Sequence, residues 1–308
     1  MSRYMTETPQ YSAQVVNAAF LNKVAADPRN AALEGTSFTR DKIREEASIR
    51  HVLPPILLKP EEIDRRVEDD QPIKIVEKEP DSIAYTMPIR GAARATYFKG
   101  PRYRIEFFRI ESQHFKKKTS ELMTYQNDIR KIISDNIVKD MAEEEDRYGL
   151  TLLNVAITAG SDSYAISGPF KPSTFAAARK ALLQRRVPVG VFWMTDAQFS
   201  DALTLSATEV GFNTVERHYT GPGIEKEDKL FAIPVIRCMR DQVFYEVLGD
   251  NTSFVLVSPE NFLGKFFMIQ DATLFIKQEA DDIEFYAYEI LGMGIGNNKW
   301  AKTVVSIQ

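Results

Sequence analysis

Two spacings of apolar residues divide the chain into predicted helices and strands. Ser12–Ala26 sets Val16, Phe20 and Val24 on one face at four-residue steps, a short helix stopped by Asp27-Pro28. Thr39–Arg50 reads as a second short helix, ending before Pro54-Pro55. Ser82–Arg90 and Arg104–Ser112 read as two extended segments of a hairpin, joined by the basic connection RGAARATYFKGP, with no obvious apolar face to bury. Thr119–Tyr148 is one long helical run, with Leu122, Tyr125, Ile129, Ile132, Ile133, Ile137 and Met141 on a single stripe. It closes on Glu143, Glu144, Glu145 and Asp146 before Gly149. Acids at that end oppose the helix dipole, and a partner's basic group would relieve them.

Beyond residue 150 the pattern becomes mixed. Leu152–Thr158 and Val187–Met194 read as strands, and Ser173–Gln184 as a helix. Thr195-Asp-Ala-Gln198 fits a capping box opening a helix to about Leu205. Tyr219–Lys229 is a polar, Gly/Pro-rich loop, and Phe231–Arg237, Gln242–Leu248 and Phe254–Ser258 are predicted strands. Ala272–Gln278, Ile283–Leu291 and Thr303–Ile307 close the chain as long antiparallel strands. The class is α+β. A thirty-residue helix is about 45 Å long, while a compact chain of this length has a radius of gyration of about 19 Å. The helix therefore spans the molecule and the hairpin projects from it. That suits a flat, extended subunit that touches neighbours.

Charge sharpens this picture. The chain has 308 residues and a net charge of −4, which excludes a nucleic-acid polycation. Its one cysteine, Cys238, excludes an intrachain disulfide, and folding in a reducing cytoplasm is expected. No apolar run is long enough to cross a membrane, and MSRYMTETPQYSAQ lacks the apolar core of a signal peptide. The 61–81 segment carries a net −5, with Asp64, Glu68, Asp69, Asp70, Glu77 and Glu79 among its acids. By itself it buries too little apolar surface to fold, so residues 1–81 read as an arm that is disordered or ordered on another subunit. The next segment, 90–118, carries +7, from Arg90, Arg94, Lys99, Arg102, Arg104, Arg109 and the lysines 116–118. These opposite charges could pair within the chain or between subunits, or simply form a solvated face. Tyr97, Phe98 and Tyr103 lie among the bases, yet no RNA-binding signature accompanies them.

Catalytic chemistry finds little support. His51, His114 and His218 are far apart and lack metal-ligand spacing. Cys238 sits in a strand pattern and reads as a buried structural thiol. There is no nucleophile elbow and no Walker loop. Gly292-Met-Gly294-Ile-Gly296 imitates a dinucleotide loop, but no helix follows it, and it reads as a turn between sheet segments. Asp281, Asp282 and Glu284 read as a solvated turn. No catalytic, cofactor-binding or metal-binding residue is assigned.

The order of parts resembles the major capsid protein of tailed phages, the Hong Kong 97-type fold. The resemblance covers most of the chain. It is carried by STFAAARKALLQRRVPVGVFWMTDAQFSDAL, by FVLVSPENFLG and by DATLFIKQEADDIEFYAYEILGMGIGNNKWAKTVV. It implies an N-terminal arm (1–81), an extended β-hairpin loop (82–118), a spine helix opening the peripheral domain (119–160), an axial domain (161–258) and peripheral strands (259–308). It also implies a function without catalysis: pentamers and hexamers joined into the icosahedral head of a tailed double-stranded DNA phage, assembled in the host cytoplasm. The implied partners are other copies of the chain, a portal, a possible decoration protein and packaged double-stranded DNA on the inner surface, read without sequence preference. With Met1 as the first residue, a separate scaffolding protein is expected. Some members cross-link a loop lysine to a neighbour's asparagine, and Lys99 is the lysine at the loop tip. The inter-subunit contact candidates are the acids Asp64, Glu68, Asp69, Asp70, Glu77 and Glu79 and the bases Arg90, Arg94, Lys99, Arg102, Arg104 and Arg109. The alternatives are an encapsulin-type nanocompartment, a cytosolic enzyme and a nucleic-acid-binding protein.

Overall fold

The computed structural model describes residues 13–77, 86–91, 102–124, 128–129, 133–159, 176, 179–180, 183, 189–203, 229–230, 233–238, 240–249, 254–296 and 301–304. The predicted 173–184 helix, the 219–229 loop and His218 fall largely or wholly outside them.

The longest elements are two strands, β11 (Gly264–Glu279) and β12 (Asp282–Ile295), which form an antiparallel hairpin. Alternation explains the pairing. Ile283, Phe285, Ala287, Glu289 and Leu291 point to the buried face, while Glu284, Tyr286, Tyr288 and Ile290 point away. The five-stranded sheet runs β1 (Pro55–Leu57), β11, β12, β5 (Phe108–Glu111), with β6 (Phe115–Lys118) on the same edge of β12. A second sheet orders β13 (Ala301–Val304), β10 (Phe254–Val257), β7 (Val191–Thr195), β9 (Ile233–Cys238) and β8 (Lys229–Leu230).

The N-terminal region is no loose arm between 13 and 58. Helix α1 (Ala13–Ala26) turns directly into α2 (Pro28–Glu46). Asp27 is the N-cap, its Oδ1 accepting from Arg29 N at 3.0 Å and Asn30 N at 3.3 Å, with Pro28 at the first helical position. Asp27-Pro28 therefore starts a helix as well as stopping one. Helix α2 lies on β11: Leu274 N donates to Thr36 Oγ1 at 3.0 Å and Arg40 Nε to the Ala272 carbonyl at 2.8 Å. A one-turn helix α3 (Ile49–Val52) leads into β1.

Within the run predicted as one long helix, the described residues form α4 (Thr119–Thr124), a wide π-turn (Ile133–Val138) and α5 (Lys139–Ala159). It does not end at Tyr148. Met141, Ala142, Glu145, Asp146, Leu150 and Leu153 recur at helical steps on the buried face, so Leu152–Thr158 is helix rather than strand. Gly149, which suggests a stop, sits inside the helix because a Cβ there would lie 2.5 Å from Ile49 Cγ1. Gln242–Leu248 is likewise a helix, α7 (Asp241–Leu248), and Gly249 closes it at φ 82°. It follows a short α6 (Asp196–Leu203) and precedes α8 (Glu260–Leu263). The capping-box reading holds in its first half, since Thr195 Oγ1 accepts from Gln198 N at 3.1 Å.

One continuous apolar core joins these layers. Ile43 and Ile49 from the N-terminal helices meet Met141 and Leu150 of the spine, Phe266 and Leu291 of the hairpin, and Trp193 and Phe244 near the second sheet.

Candidate inter-subunit surface

A three-stranded flap projects from the first sheet: β2 (Asp64–Arg65), β3 (Pro72–Glu77) and β4 (Arg102–Glu106). The hairpin is thus offset from its predicted position. Its outgoing strand is the acidic segment itself, paired so that Ile73 faces Glu106, Ile75 faces Arg104 and Glu77 faces Arg102. The described part of Ser82–Arg90 is a turn, in which Gly91 N donates to the Pro88 carbonyl at 2.8 Å. The 61–77 stretch orders on its own chain, because pairing with β4 supplies the hydrogen bonds and burial it lacks alone.

The flap's seat explains the glycine run. Gly292 and Gly294 lie in β12, not in a turn, and β4 crosses directly over them. A Cβ at Gly292 would lie 2.7 Å from the Glu106 carbonyl oxygen, and one at Gly294 would lie 2.6 Å from Ile105 Cγ1. Ile105 and Phe107 bury there against Leu58 and Phe267.

The predicted contact residues divide into three groups. On the flap, Glu77 pairs with Arg102 at 2.6 Å and Arg104 with Glu106 at 2.8 Å, while Asp69 pairs with Arg66 at 3.4 Å. Asp64 Oδ2 accepts from Ile75 N at 3.2 Å, and Asp70 makes the turn at φ 55°. Glu68 and Arg90 are exposed. Arg109 does not belong to the hairpin. The strand predicted over Arg104–Ser112 breaks at Phe107, and Arg109 lies in the main sheet, its guanidinium 3.8 Å from the Tyr288 ring centroid and paired with Glu111 at 2.8 Å. Arg94, Lys99 and Glu79 are outside the described residues. Opposite charges therefore already pair within the chain. Such exposed pairs contribute about 0–1 kcal/mol each, so they set register more than stability.

Sequence reading missed the apolar tips. Val67, at the β2–β3 turn, and Ile89, at the 88–91 turn, are 101% and 106% exposed, and Ile75 is 46% exposed on the flap's outer face. Fully exposed aliphatic groups at projecting turns are what a covering neighbour would bury. The signal was available as single aliphatic residues in otherwise polar turns.

On the outer face of the main sheet, His114, Tyr286, Phe275 and Tyr288 stack in a row, with neighbouring centroids 4.3, 5.2 and 5.0 Å apart. His114 bonds to Glu284 at 2.7 Å and to Glu111 at 3.1 Å, and these two carboxylates push its pKa up. The row ties β5 and β6 to the hairpin.

The acidic cluster of the spine has a different role from the one its sequence suggests. It lies mid-helix, and its charges are met within the chain. Arg147 pairs with Glu143, Glu144 and Glu246. Glu145 and Asp146 are fully buried. Arg50 Nε donates to Glu145 Oε2 at 2.8 Å, and Arg50 Nη2 to Glu289 Oε2 at 2.9 Å. Asp146 accepts from Ile49 N at 2.7 Å and from Ser48 Oγ at 2.9 Å, and Ser48 Oγ in turn accepts from Trp193 Nε1 at 2.9 Å. Burial pushes the Asp146 carboxyl up to about 6 against these hydrogen bonds. The clue to Glu289 was its place in the core-facing series of β12.

Among the described residues no cluster of His, Cys, Asp and Glu has the geometry to hold a metal. Burial and nearby Asp146 push the Cys238 thiol up to about 12, away from the thiolate form. His51 and His114 do not meet. A cavity of about 50 Å³, lined by Phe115, Leu122, Ile129, Ile137 and Phe285, is apolar and far below the size of a ligand pocket. Among the described residues no helix is long and apolar enough to cross a membrane.

No family model and no curated protein matches the sequence. Solved structures do match. The chain is similar to a chain of Mycobacterium phage Bobi, at 10% identity and a TM-score of 0.57, over 85% of this chain and 91% of that one. It is similar to the virus-like particle from Pyrococcus furiosus, at 14% identity and a TM-score of 0.56, over 88% and 97%. It is also similar to the capsid of a native GTA particle, at 10% identity and a TM-score of 0.53, over 84% and 89%. The fold is the Hong Kong 97-type fold of tailed-phage major capsid proteins.

Proposed function

We propose that the chain is a shell protein: the major capsid protein of a tailed double-stranded DNA phage, assembling through pentamers and hexamers into an icosahedral head. The observation that carries this reading is the extent of the structural match, which takes in 84–88% of this chain and 89–97% of the three solved chains. A fold shared over more than four-fifths of the chain supports a shell role for the whole of it. The paired acidic and basic strands and the bare Val67 and Ile89 tips supply the surfaces that a neighbouring copy would cover.

In this reading residues 161–258 form the axial domain, and 259–308 return to the peripheral sheet. The extended loop begins earlier than expected, at Pro72. A scaffolding protein, a portal and packaged DNA are the proposed partners, and the virion is the proposed location. Closure of a ring by repeated head-to-tail contacts needs many weak, register-setting interactions, which is what exposed ion pairs provide.

A second reading keeps the fold and changes the role. The match to the virus-like particle from Pyrococcus furiosus supports an encapsulin-type nanocompartment. Negative-stain microscopy of the expressed protein separates the readings. Open rings or aberrant particles that become large, regular shells on co-expression with a scaffolding protein support the head protein. Small uniform shells formed by the chain alone support the compartment. A soluble small oligomer under every condition overturns both and returns the question to an enzyme.

A further inference from the structure

The buried charges at the foot of the N-terminal helices do not balance. Arg50 of α3 is the guanidinium that Glu145 of α5 and Glu289 of β12 share, and both carboxyls are fully buried. Asp271 of β11 lies 3.6 Å from Arg50 Nη1, but its charge is met by two cations of α2, Arg44 at 2.9 Å and Arg40 at 3.8 Å. Asp146, the next acid along α5, faces away toward Ser48, Cys238 and Arg240. The inner site therefore holds two carboxyls on one cation. Two ionised carboxylates there would leave a net negative charge without solvent, at a cost of several kcal/mol.

The remedy is a proton. Glu145 accepts from two of the guanidinium's nitrogens, Nε at 2.8 Å and Nη2 at 2.5 Å. Glu289 takes one N–H, and its Oε1 has no hydrogen-bond partner among the described residues. Both carboxyls accept from the same nitrogen, Arg50 Nη2, Glu145 Oε1 at 2.5 Å and Glu289 Oε2 at 2.9 Å, so a proton on Glu289 removes the second of two charges held at one cation. Burial and the nearby Glu145 charge both raise the Glu289 pKa well above the usual carboxylate range.

We propose that Glu145, Glu289 and one shared proton form a latch that closes the α1–β1 segment onto the body of the chain through Arg50. With the proton in place the cluster is neutral and α3 is held against α5 and β12. When Glu289 gives its proton to solvent as pH rises, the second carboxylate is uncompensated. The state in which α3 lifts and water reaches the site then becomes favoured. Among the described residues Arg50 pairs α3 with both acids, so the release acts on the N-terminal segment first. The latch operates in a lone chain and does not depend on the shell reading.

Native-state hydrogen exchange, corrected for the intrinsic pH dependence, tests this on the full chain at about pH 6 and about pH 9. Protection in Ile43–Leu53 is expected to fall about tenfold or more at the higher pH, while β11 and β12 beyond Asp271 keep theirs. Glu289→Gln, which is neutral at every pH, is expected to abolish the fall. If that variant does not fold, Glu145→Gln is measured by the same criterion, together with the infrared band of a protonated carboxyl in the unaltered chain. Equal protection at both pH values overturns the latch. So does a uniform loss across the molecule, a fall that persists in the glutamine variant, or the absence of a protonated-carboxyl band at neutral pH.

Discussion

Arg102 offers a test that separates a role inside the chain from a role between copies. It faces Glu77 across the flap at 2.6 Å, and both side chains are 68% exposed. Arg102→Glu removes an exposed pair and sets like charges directly opposite. Each effect is worth about 0.2–1 kcal/mol, so the fold loses about 1 kcal/mol, and only locally. The urea midpoint of the chain should scarcely move. Assembly responds differently. If Arg102 also meets an acid on a neighbour, a further 1 kcal/mol or so lowers each contact about fivefold. Round a six-membered ring the loss compounds. The informative partner is the swap Arg102→Glu with Glu77→Arg, which restores the cross-strand pair but leaves the outer charge pattern reversed. Sedimentation velocity and negative staining, with circular dichroism as the folding control, read the outcome. Shells lost in the single variant and still lost in the swap place Arg102 on a neighbour. Shells recovered in the swap confine it to its own flap. Normal shells from both variants refute any part for this pair in assembly.

Other expectations rest on the core. Gly149→Ala gains about 1 kcal/mol of helix propensity but drives a methyl into Ile49, at a cost of about 1–3 kcal/mol. A net loss of about 0–2 kcal/mol in urea unfolding is expected, diminished when Ile49→Ala accompanies it, and a clear gain in stability would refute the close approach of α3 to α5. Arg50→Met strands Glu145 and Glu289 and should cost about 3–5 kcal/mol, with partial recovery on adding Glu289→Gln; a loss below about 1 kcal/mol would show that the acids find water. Asp146 has its pKa raised from 3.8 to about 6 in the folded chain. The folded state thus holds the proton more tightly, and the associated stability, about 3 kcal/mol, is present below about pH 4 and lost as pH rises to about 6. Comparing Asp146→Asn with the unaltered chain across that window should show the variant lacking this descent.

Much of the architecture was legible in local pattern. Alternation in β12 and the three- and four-residue stripe through Met141 each point to the observed elements. Errors clustered where one residue type carries two meanings. Gly149 was read as a helix end but fills a close approach. The Gly292–Gly296 run was read as a turn, yet it is the flat seat on which β4 crosses. Val243, Phe244, Val247 and Leu248 fit both periods in so short a window, and helix α7 resulted. Asp27-Pro28 stops one helix and caps the next.

By itself the sequence determined the α+β class and the long alternating strand β12, because these follow from spacing and composition along neighbouring residues. Tertiary structure alone decided which charges meet. Arg50, Glu145, Asp271 and Glu289 are separated by up to 239 residues, and no local pattern shows that burial will bring two acids to one guanidinium. The same holds for the flap, whose acidic strand pairs with its basic one inside the chain, since strand register is settled by where Ile105 and Phe107 can be buried.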